Sequence, residues 1–413
     1  MARYVETWEV DTEMPHGGLA AVRPQSVRQA NLAAVLDQVR RRGPLSRSDI
    51  VAATGLTRSA IGGLVGELVD LGLAIEEAAL SDGSPGRPSP VVRADGSHFC
   101  VLAVEVGVDA LAVALVALDG SVVRMRRVPR SRDRMPPSAV IADVIESVGL
   151  LECRGPVIDG RRLTAVGAAV PGLIRSGGQV VAVAPNLEWR DVELAAMLRE
   201  AVQMDVPVLV GNDADLGALG EATFGVRADH MVYVSGEVGV GGSVISDGVR
   251  LAGRTGLAGE FGHMLVNPAG HRCSCGAIGC WETEIGERAL LRRAGLDADG
   301  GVPAVDELFA RAAAGESTAL DALDAEGRWL GMGIAGLINA FDPEVVVLGA
   351  LLERVLPYVR DSLDAALAER EIHGLERSVD VVGATFGDDA TLLGAAELAF
   401  GPLLADPAGV ASA

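Results

Sequence analysis

The run from His263 to Cys280 places three of the chain's five cysteines within eight residues, at positions 273, 275 and 280. Closely spaced thiolates with a histidine in the same run favour a tetrahedral zinc ion, whose ligands lie at about 2.0 to 2.3 Å. Glycines at 270, 276 and 279 permit the tight turns that such a loop needs. The first interpretation is therefore a structural Cys3His zinc site.

Acidic residues flank this run on both sides. Glu260 lies three residues before His263, and Glu282 follows Cys280 after a single tryptophan. Carboxylates beside a rigid metal loop are well placed to bind the polar groups of a ligand. We therefore expect the zinc to shape a ligand site rather than to do chemistry itself.

Length and composition favour several domains and no membrane segment. The chain has 413 residues, 49% of them hydrophobic, which is enough for more than one core. Its longest apolar stretch, 101–118, is interrupted by Glu105 and Asp109. The N-terminus lacks the basic and then apolar order of a signal peptide. We expect a cytoplasmic protein with reduced cysteines and no membrane partner.

Charge is distributed unevenly along the chain. The net charge is −21, and all 35 basic residues are arginines. Seven arginines and two aspartates fall between positions 23 and 60, so this segment carries 7 − 2 = +5. A basic segment on an acidic protein is typical of a nucleic-acid-binding module attached to a different domain.

The basic segment, delimited here as residues 23–93 after an N-terminal tail of residues 1–22, has the pattern of a winged helix-turn-helix. Apolar residues at 32, 35, 36 and 39 recur at helical spacing, Ser46 can cap a second helix, and Thr57 can cap a third. In that geometry the start of the third helix faces the major groove. The residues expected to contact DNA here are Arg47, Thr57, Arg58 and Ser59.

A turn at residues 81–89, between two predicted strands, would form the wing. It carries Arg87 between a glycine and a proline, which is typical of arginines that enter a narrow minor groove. A solvated linker arginine is the alternative. For the whole basic segment, the alternative is a small helical domain that docks onto another protein.

The rest of the chain alternates between strands and helices, which indicates two α/β lobes with a cleft between them. Strands are predicted at 99–106, 110–117, 122–125, 164–169, 207–210, 231–235, 242–246, 345–349 and 379–382. Helices are predicted at 138–150, 189–203, 286–295, 317–340, 353–370 and 389–400.

Ten separated motifs occur in an order that identifies a family. They are Arg28-Gln-Ala-Asn-Leu, Gly43-Pro-Leu-Ser-Arg, Thr54-Gly-Leu-Thr-Arg, Gly86-Arg-Pro, Val170-Pro-Gly-Leu, Gly211-Asn-Asp-Ala, Gly259-Glu-Phe-Gly-His, the Cys-x-Cys-x4-Cys loop, Asp342-Pro-Glu-Val-Val-Val-Leu-Gly and Leu392-Leu-Gly-Ala-Ala. Over roughly residues 25 to 400 the chain resembles the ROK family of repressors, open reading frames and kinases, and specifically its repressor branch with an N-terminal winged helix.

The resemblance implies a two-lobed actin-like (ribonuclease H-like) ATPase and sugar-kinase fold behind the winged helix. Lobe 1 would span residues 97–213 and be completed by a C-terminal helix at 389–401. Lobe 2 would span residues 214–388 and carry the zinc loop.

The resemblance also implies site residues. Asn212 and Asp213 match the pair that contacts the sugar, and Asp213 matches the general base of the kinases. By the same comparison, sugar-binding residues also include Glu260, His263 and Glu282, and the zinc ligands are His263, Cys273, Cys275 and Cys280. Carboxylates suit this role because they accept paired hydrogen bonds from neighbouring hydroxyls. For Asp213 alone, a helix cap is the alternative.

The phosphate-binding loops depart from the kinase pattern. Kinases of the family carry Asp-x-Gly-Gly-Thr and Gly-Thr-Gly-x-Gly-Gly, whereas this chain has Glu105 to Asp109 and Glu237 to Gly242. Two threonine donors are lost and carboxylates are gained. One like-charge contact at about 4 Å costs on the order of 4 kcal/mol. We therefore expect weak ATP binding and no enzymatic activity.

Together these features predict a sugar-responsive DNA-binding transcriptional regulator, of the repressor type, for carbohydrate-metabolism genes. Its expected partners are a palindromic operator, a sugar or sugar derivative, and further copies of the chain in a homodimer or homotetramer. The main alternative is an ATP-dependent ROK sugar kinase with a DNA-binding head. A third is a scaffold built on an inactive kinase fold.

Overall fold

The computed structural model describes residues 24–78, 90–130, 132, 136–175, 177–370 and 379–412. The predicted wing turn, with Arg87, and the predicted tail of residues 1–22 lie outside the described residues. Among the helices that are described, none combines the length and the apolar character needed to cross a membrane.

The N-terminal part contains three helices and a small antiparallel sheet of strand order β1-β3-β2. Its elements are α1 (Pro24–Arg42), β1 (Leu45–Ser46), α2 (Arg47–Thr54), α3 (Arg58–Asp70), β2 (Ala74–Glu77) and β3 (Val91–Ala94). Both predicted caps are confirmed. Ser46 forms a capping box with Asp49, and the Thr57 hydroxyl accepts a hydrogen bond from the Ala60 N–H. The helix boundaries therefore follow from local sequence signals.

Lobe 1 is built on a sheet of order β12-β8-β4-β5-β6, in which β12, β8 and β4 are parallel. A second small sheet has the order β11-β10-β9. The elements of this lobe are β4 (Phe99–Val106), β5 (Ala110–Ala117), β6 (Val122–Pro129), α4 (Pro137–Leu150), β7 (Val157–Ile158), β8 (Arg161–Val170), β9 (Leu173–Ile174), β10 (Val181–Ala184), β11 (Trp189–Val192), α5 (Leu194–Val202) and β12 (Val208–Asn212).

Lobe 2 is built on a sheet of order β15-β14-β13-β16-β17. Its elements are α6 (Asp213–Phe224), β13 (Met231–Gly236), β14 (Val240–Ser246), β15 (Val249–Arg250), α7 (Glu287–Arg293), α8 (Gly301–Ala313), α9 (Ser317–Phe341), β16 (Val345–Ala350), α10 (Leu351–Ala368) and β17 (Asp380–Gly383). Two further helices follow, α11 (Ala390–Ala405) and α12 (Pro407–Ser412).

The predicted secondary structure needs correction at two places. The helix predicted at 189–203 is wrong over its first residues, where Trp189–Val192 pairs with β10 as a strand and the tryptophan is buried in the lobe 1 core. Helix α8 has no prediction in the sequence analysis; its first residue, Gly301, is a poor helix former. Tertiary packing overrides local preference in both places.

Helices α6 and α11 pack together unusually closely, between the two sheets. A Cβ added at Gly220 of α6 would lie 2.2 Å from the Ala390 carbonyl oxygen, and one at Gly394 of α11 would lie 1.7 Å from that of Leu216. The two backbones are therefore in direct contact. Helix α11 also contacts lobe 1, where a Cβ at Gly167 would lie 1.9 Å from the Ala395 carbonyl oxygen.

Candidate functional site

The four predicted metal ligands come together in the folded chain. The ligand atoms of His263, Cys273, Cys275 and Cys280 all lie within 4.8 Å of one another. The Cys275 and Cys280 sulfurs are 3.6 Å apart, as are the Cys273 sulfur and His263 Nδ1. Two thiolates on a tetrahedral ion with Zn–S bonds of about 2.3 Å lie about 3.8 Å apart, so the cluster fits zinc.

Tight turns hold the cysteine loop in this shape. The Cys273 N–H donates to the Ala277 carbonyl, with Gly276 between them at a φ of +96°. Gly279 has a φ of +84°, and a Cβ there would lie 1.9 Å from the Asn267 carbonyl oxygen. These positions require glycine, as the sequence predicted.

The predicted sugar-binding acids adjoin the metal cluster. His263 Nε2 lies 3.8 Å from Glu260, and His263 Nδ1 lies 3.9 Å from Glu282. Glu282 also accepts a hydrogen bond from the Cys273 thiol at 2.8 Å. A Cβ at Gly239 would lie 3.4 Å from Glu282 Oε2, which brings the turn between β13 and β14 to the same cleft.

Asn212, at the end of β12, rather than Asp213, caps helix α6. Its Oδ1 accepts a hydrogen bond from the Asp215 N–H at 3.1 Å, and its Nδ2 donates to the Gly172 carbonyl at 3.0 Å. The Asp213 carboxylate accepts hydrogen bonds from the neighbouring Ala214 N–H and from its own backbone N–H, and from no other side chain that the structure describes. Of the two residues, Asp213 is thus the one with acceptor capacity left for a ligand.

The electrostatics around Asp213 suit a proton acceptor. Burial raises the pKa of Asp213 to about 6, and the carboxylates of Asp215 and Glu260 add to this effect. Asp215 accepts hydrogen bonds from Ser243 at 2.8 Å and from Arg250 at 2.9 Å. Sequence reasoning missed Asp215, Ser243 and Arg250; the available signal was an acidic residue at the third position of the capped helix.

The carboxylates in the altered phosphate loops are mostly paired with arginines. Glu105 lies 3.2 Å from Arg127, which also donates to Asp389 at 2.9 Å. Asp109 accepts two hydrogen bonds from Arg132, at 2.6 and 2.5 Å. Arg132 also donates a hydrogen bond to Glu287, at the start of α7, at 2.7 Å. This contact links the sheet strands that precede Arg132 to the helices that follow the cysteine loop.

The physical reason expected for weak ATP binding therefore needs correction. Arg132 compensates the charge of Asp109, but burial outweighs the nearby Arg127 and raises the pKa of Glu105 to about 7. Two of the three loop carboxylates therefore lie beside arginines, whereas Glu237 is exposed. What remains of the expectation is the loss of two threonine donors.

Of the residues predicted to contact DNA, the four that the structure describes are exposed, but they differ in their pairing. Thr57, Arg58 and Ser59 lie at the N-terminal end of α3, and Arg58 has no ion-pair partner among the described residues. Arg47 is exposed on α2, but Glu76 accepts two hydrogen bonds from it, at 2.8 and 2.9 Å. Of these two arginines, Arg58 is therefore the one whose guanidinium is unpaired within the described part of the chain.

The charge argument for the basic segment was partly wrong. Arg40 is 4% exposed and pairs with Glu397 of α11, while Arg41 and Arg42 both pair with Asp229. These three arginines hold α1 against the rest of the chain. The excess positive charge of the segment is correspondingly smaller on its free surface.

Residues 101–401 match the ROK family. The chain is 29% identical over 372 residues to the xylose repressor of Bacillus subtilis (strain 168), covering 89% of this chain and 94% of the repressor. It is 30% identical over 320 residues to the glucokinase of Streptomyces coelicolor, covering 73% of this chain and 98% of the glucokinase.

Comparison with solved structures agrees with these sequence matches. The crystal structure of a ROK family transcriptional regulator, a homologue of the E. coli MLC protein, superposes with a TM-score of 0.74 at 26% identity and covers 94% of this chain and all (100%) of that one. A ROK family glucokinase from Streptomyces griseus, in complex with glucose and AMPPNP, gives a TM-score of 0.62 at 28% identity and covers 73% of this chain and 99% of its own. Both repressor-type relatives thus extend over more of this chain than the glucokinases do.

Proposed function

Because the chain belongs to the ROK family, we propose that it is a sugar-responsive transcriptional repressor that binds DNA through residues 24–94. One observation carries the proposal. The xylose repressor and the solved regulator match 89% and 94% of this chain, whereas the glucokinases match 73%. The ROK match covers residues 101–401, which leaves residues 24–94 outside it as the part that would bind DNA in a repressor.

The DNA-binding role rests on the N-terminal helices. We assign α2, the turn at Gly55 and α3 to a helix-turn-helix, and the strands β2 and β3 to the base of a wing. Thr57, Arg58 and Ser59 are exposed where a recognition helix enters the major groove. Arg47 and Arg87 remain proposed phosphate or groove contacts.

The sugar-binding role rests on the acidic cleft. Asp213, Glu260 and Glu282 offer carboxylate acceptors, with His263 between the last two. Asn212 orients Asp213 through its cap. Such a set suits the neighbouring hydroxyls of an aldose, and the names of the relatives point to xylose or glucose.

The metal cluster belongs to the same site. We propose that His263, Cys273, Cys275 and Cys280 hold zinc. When bound, the ion supplies structural cross-linking rather than chemistry. The loop in turn holds Glu282 beside Cys273, so that metal binding and sugar binding support each other.

The wider assignments follow from a repressor role. We propose residues 97–213 with 389–401 as lobe 1 and residues 214–388 as lobe 2, and a homodimer or homotetramer acting in the cytoplasm. A dimer presents its recognition helices to two half-sites about 34 Å apart, or a multiple of that spacing, on a palindromic operator.

Selection from random DNA tests the proposal. Wild-type protein is used to select duplexes, and footprinting then maps the protected bases with and without D-xylose or D-glucose. We expect a palindromic footprint whose occupancy changes with one of the sugars. Protein that retains no specific duplex, or a footprint unaffected by every aldose tried, would contradict the proposal.

A sugar kinase is the second candidate, because Asp213 has a pKa near that of a useful base and the glucokinases match the fold. Coupled detection of ADP, with magnesium ATP and each sugar, separates the two candidates. Sugar-dependent ADP release that Asp213→Asn abolishes would favour the kinase. The repressor proposal predicts no release above the rate without sugar.

A further inference from the structure

Arg40, near the C-terminal end of α1, is buried between α1 and the body of the protein. Its side chain is 1% exposed. Nε donates to the Leu118 carbonyl at 2.8 Å, Nη1 donates to Glu397 Oε1 at 3.0 Å, and Nη2 lies 2.7 Å from Oε2. The guanidinium lies 5.5 Å from the ring centre of Phe224 and 4.9 Å from that of Phe400. Arg40 thus contacts a backbone carbonyl, a carboxylate and two aromatic rings, and of its polar atoms only Nη2 makes no hydrogen bond among the described residues.

These contacts of Arg40 with the body are called the Arg40 joint below. Such a buried joint fixes the orientation of α1 more than it stabilises the fold. Replacing a buried ion pair with apolar side chains is often neutral or even stabilising, because desolvation offsets much of the attraction. A planar guanidinium that pairs at two points and stacks on rings, by contrast, accepts few relative orientations of the parts it joins. The Arg40 joint therefore sets the angle at which α1 leaves the body.

The two helices that hold Arg40 form one unit. Phe224 is the last residue of α6, while Glu397 and Phe400 lie on α11. Because the backbones of α6 and α11 touch at Gly220 and Gly394, neither helix can shift without the other.

The opposite end of this unit lies at the candidate sugar site. Helix α6 begins at Asp213, directly after its cap Asn212. Its 12 residues span about 18 Å, so a displacement at Asp213 reaches Phe224 along a rigid rod. A ligand that draws Asp213 toward Glu260 would thus move the surface on which Arg40 rests.

On the other side of the joint, α1 continues into the DNA-binding part. Leu32 and Leu36 of α1 and Ile61 and Leu64 of α3 belong to the same buried core cluster. Arg28 of α1 also pairs with Glu67 of α3 at 2.5 Å. A change in the angle of α1 therefore carries α3, and with it Arg58, to a different position.

We propose that Arg40 is the positioning residue that couples the sugar site to the recognition helix, through its contacts with Phe224 of α6 and Glu397 of α11. The inference rests on the proposed repressor function and adds the route by which that function is regulated. It requires that the strength of the coupling depend on the geometry of the joint, while each binding site remains intact on its own.

The test measures a coupling ratio, the DNA dissociation constant with saturating sugar divided by that without it. The probes are a duplex selected by the wild-type protein and the aldose, D-xylose or D-glucose, that shifts its binding. Arg40→Lys keeps the charge but loses the two-point pairing. A second variant, Arg40→Met with Glu397→Leu, fills the volume with apolar side chains so that the fold is kept.

The matched control is Arg354→Lys. Arg354 also stacks on a ring, Phe309 at 5.3 Å, and pairs with an acid, Asp306 at 2.5 Å, but it lies on α10. Wild type and control should share a coupling ratio in the usual range of about 5 to 150 for allosteric proteins. Both Arg40 variants should bind the sugar with wild-type affinity and show a ratio close to one.

The outcomes separate this inference from the proposed function. If wild type shows sugar-dependent DNA binding and both Arg40 variants retain its ratio, the coupling route is wrong and the repressor function stands. If wild type binds no specific duplex or responds to no aldose, the proposed function fails and this inference fails with it. A ratio lost equally in Arg354→Lys would also overturn the role of Arg40.

Discussion

Glu76 of β2 accepts two hydrogen bonds from Arg47 of α2, at 2.8 and 2.9 Å, across the surface of the N-terminal part. This pair fixes the Arg47 guanidinium against the sheet. Arg58, at the start of α3, has no such partner among the residues that the structure describes. The two arginines are therefore expected to contribute differently to DNA binding.

Arg58→Ala should weaken binding to the selected operator by about 1 to 3 kcal/mol, because a free guanidinium at the groove is lost. Arg47→Ala should cost less, since its binding to DNA competes with Glu76. Fluorescence anisotropy at fixed salt measures both. Arg328→Ala, an exposed arginine on α9, is the control and should leave the affinity unchanged. Equal losses in all three would point to nonspecific charge effects and against a groove contact.

Cys273→Ser and Cys280→Ser should each release the metal and lower the melting temperature, because the loop depends on its cross-link. Elemental analysis of the purified protein provides the measurement. Cys153→Ser, which alters a buried cysteine in lobe 1, is the control and should retain the wild-type zinc content. Wild-type protein purified without chelator that contains no zinc would refute the site.

Sugar binding should weaken as the pH falls below about 6. Burial raises the pKa of Asp213 to about 6, so the carboxylate that accepts hydrogen bonds from sugar hydroxyls is lost on protonation in that range. Calorimetry with the active aldose from pH 5 to pH 8 measures the effect. In Asp213→Asn the affinity should be low and nearly independent of pH. A wild-type affinity that is flat across this range would exclude Asp213 as an acceptor.

Glu326 should make the fold less stable as the pH rises. The residue is fully buried (0% exposed), and burial raises its pKa to about 8 despite the nearby Arg293. Between pH of about 4.5 and 8 the unfolded chain loses this proton while the folded chain keeps it, so stability falls with increasing pH. Between pH 5 and pH 8, Glu326→Gln should reduce the fall in the free energy of unfolding by about 1 to 4 kcal/mol. Denaturant unfolding at the two pH values measures this difference. An unchanged slope in the variant would show that Glu326 does not titrate there.

Gly394→Ala should destabilise the protein by about 1 to 3 kcal/mol, because the added methyl would lie 1.7 Å from the Leu216 carbonyl oxygen and force α6 and α11 apart. Gly401→Ala, on the same helix, meets nothing within 4 Å and should be neutral or slightly stabilising. Thermal unfolding compares the melting temperatures of the two variants. Similar melting temperatures would mean that the helices are not in backbone contact.

Local signals in the sequence predicted much of the fold. Ser46 and Thr57 mark helix starts because their side chains satisfy backbone N–H groups within three residues. The sequence predicts the cysteine loop equally well, because its candidate metal ligands and its glycines are close together in the chain. The strand at Trp189 was mistaken for helix because its pairing with β10 depends on tertiary context.

Long-range contacts were beyond the reach of sequence patterns. Arg40 pairs with Glu397, which is 357 positions away, and Arg41 pairs with Asp229, which is 188 positions away. Nothing in the run Arg-Arg-Arg distinguishes a buried arginine from one that faces DNA. The pairing of Asp215 with Arg250 was hidden for the same reason.

The buried cluster that contains Leu32 and Ile61 also contains Ala395 and Phe400 of α11. The N-terminal helices and the body therefore share one apolar interior among the described residues. Such a protein is expected to melt in a single cooperative transition, and residues 24–94 cut free would expose an apolar face with a charged arginine at its centre. Exchanging residues 24–94 between members of the family would require transplanting the matching face of α11 with them.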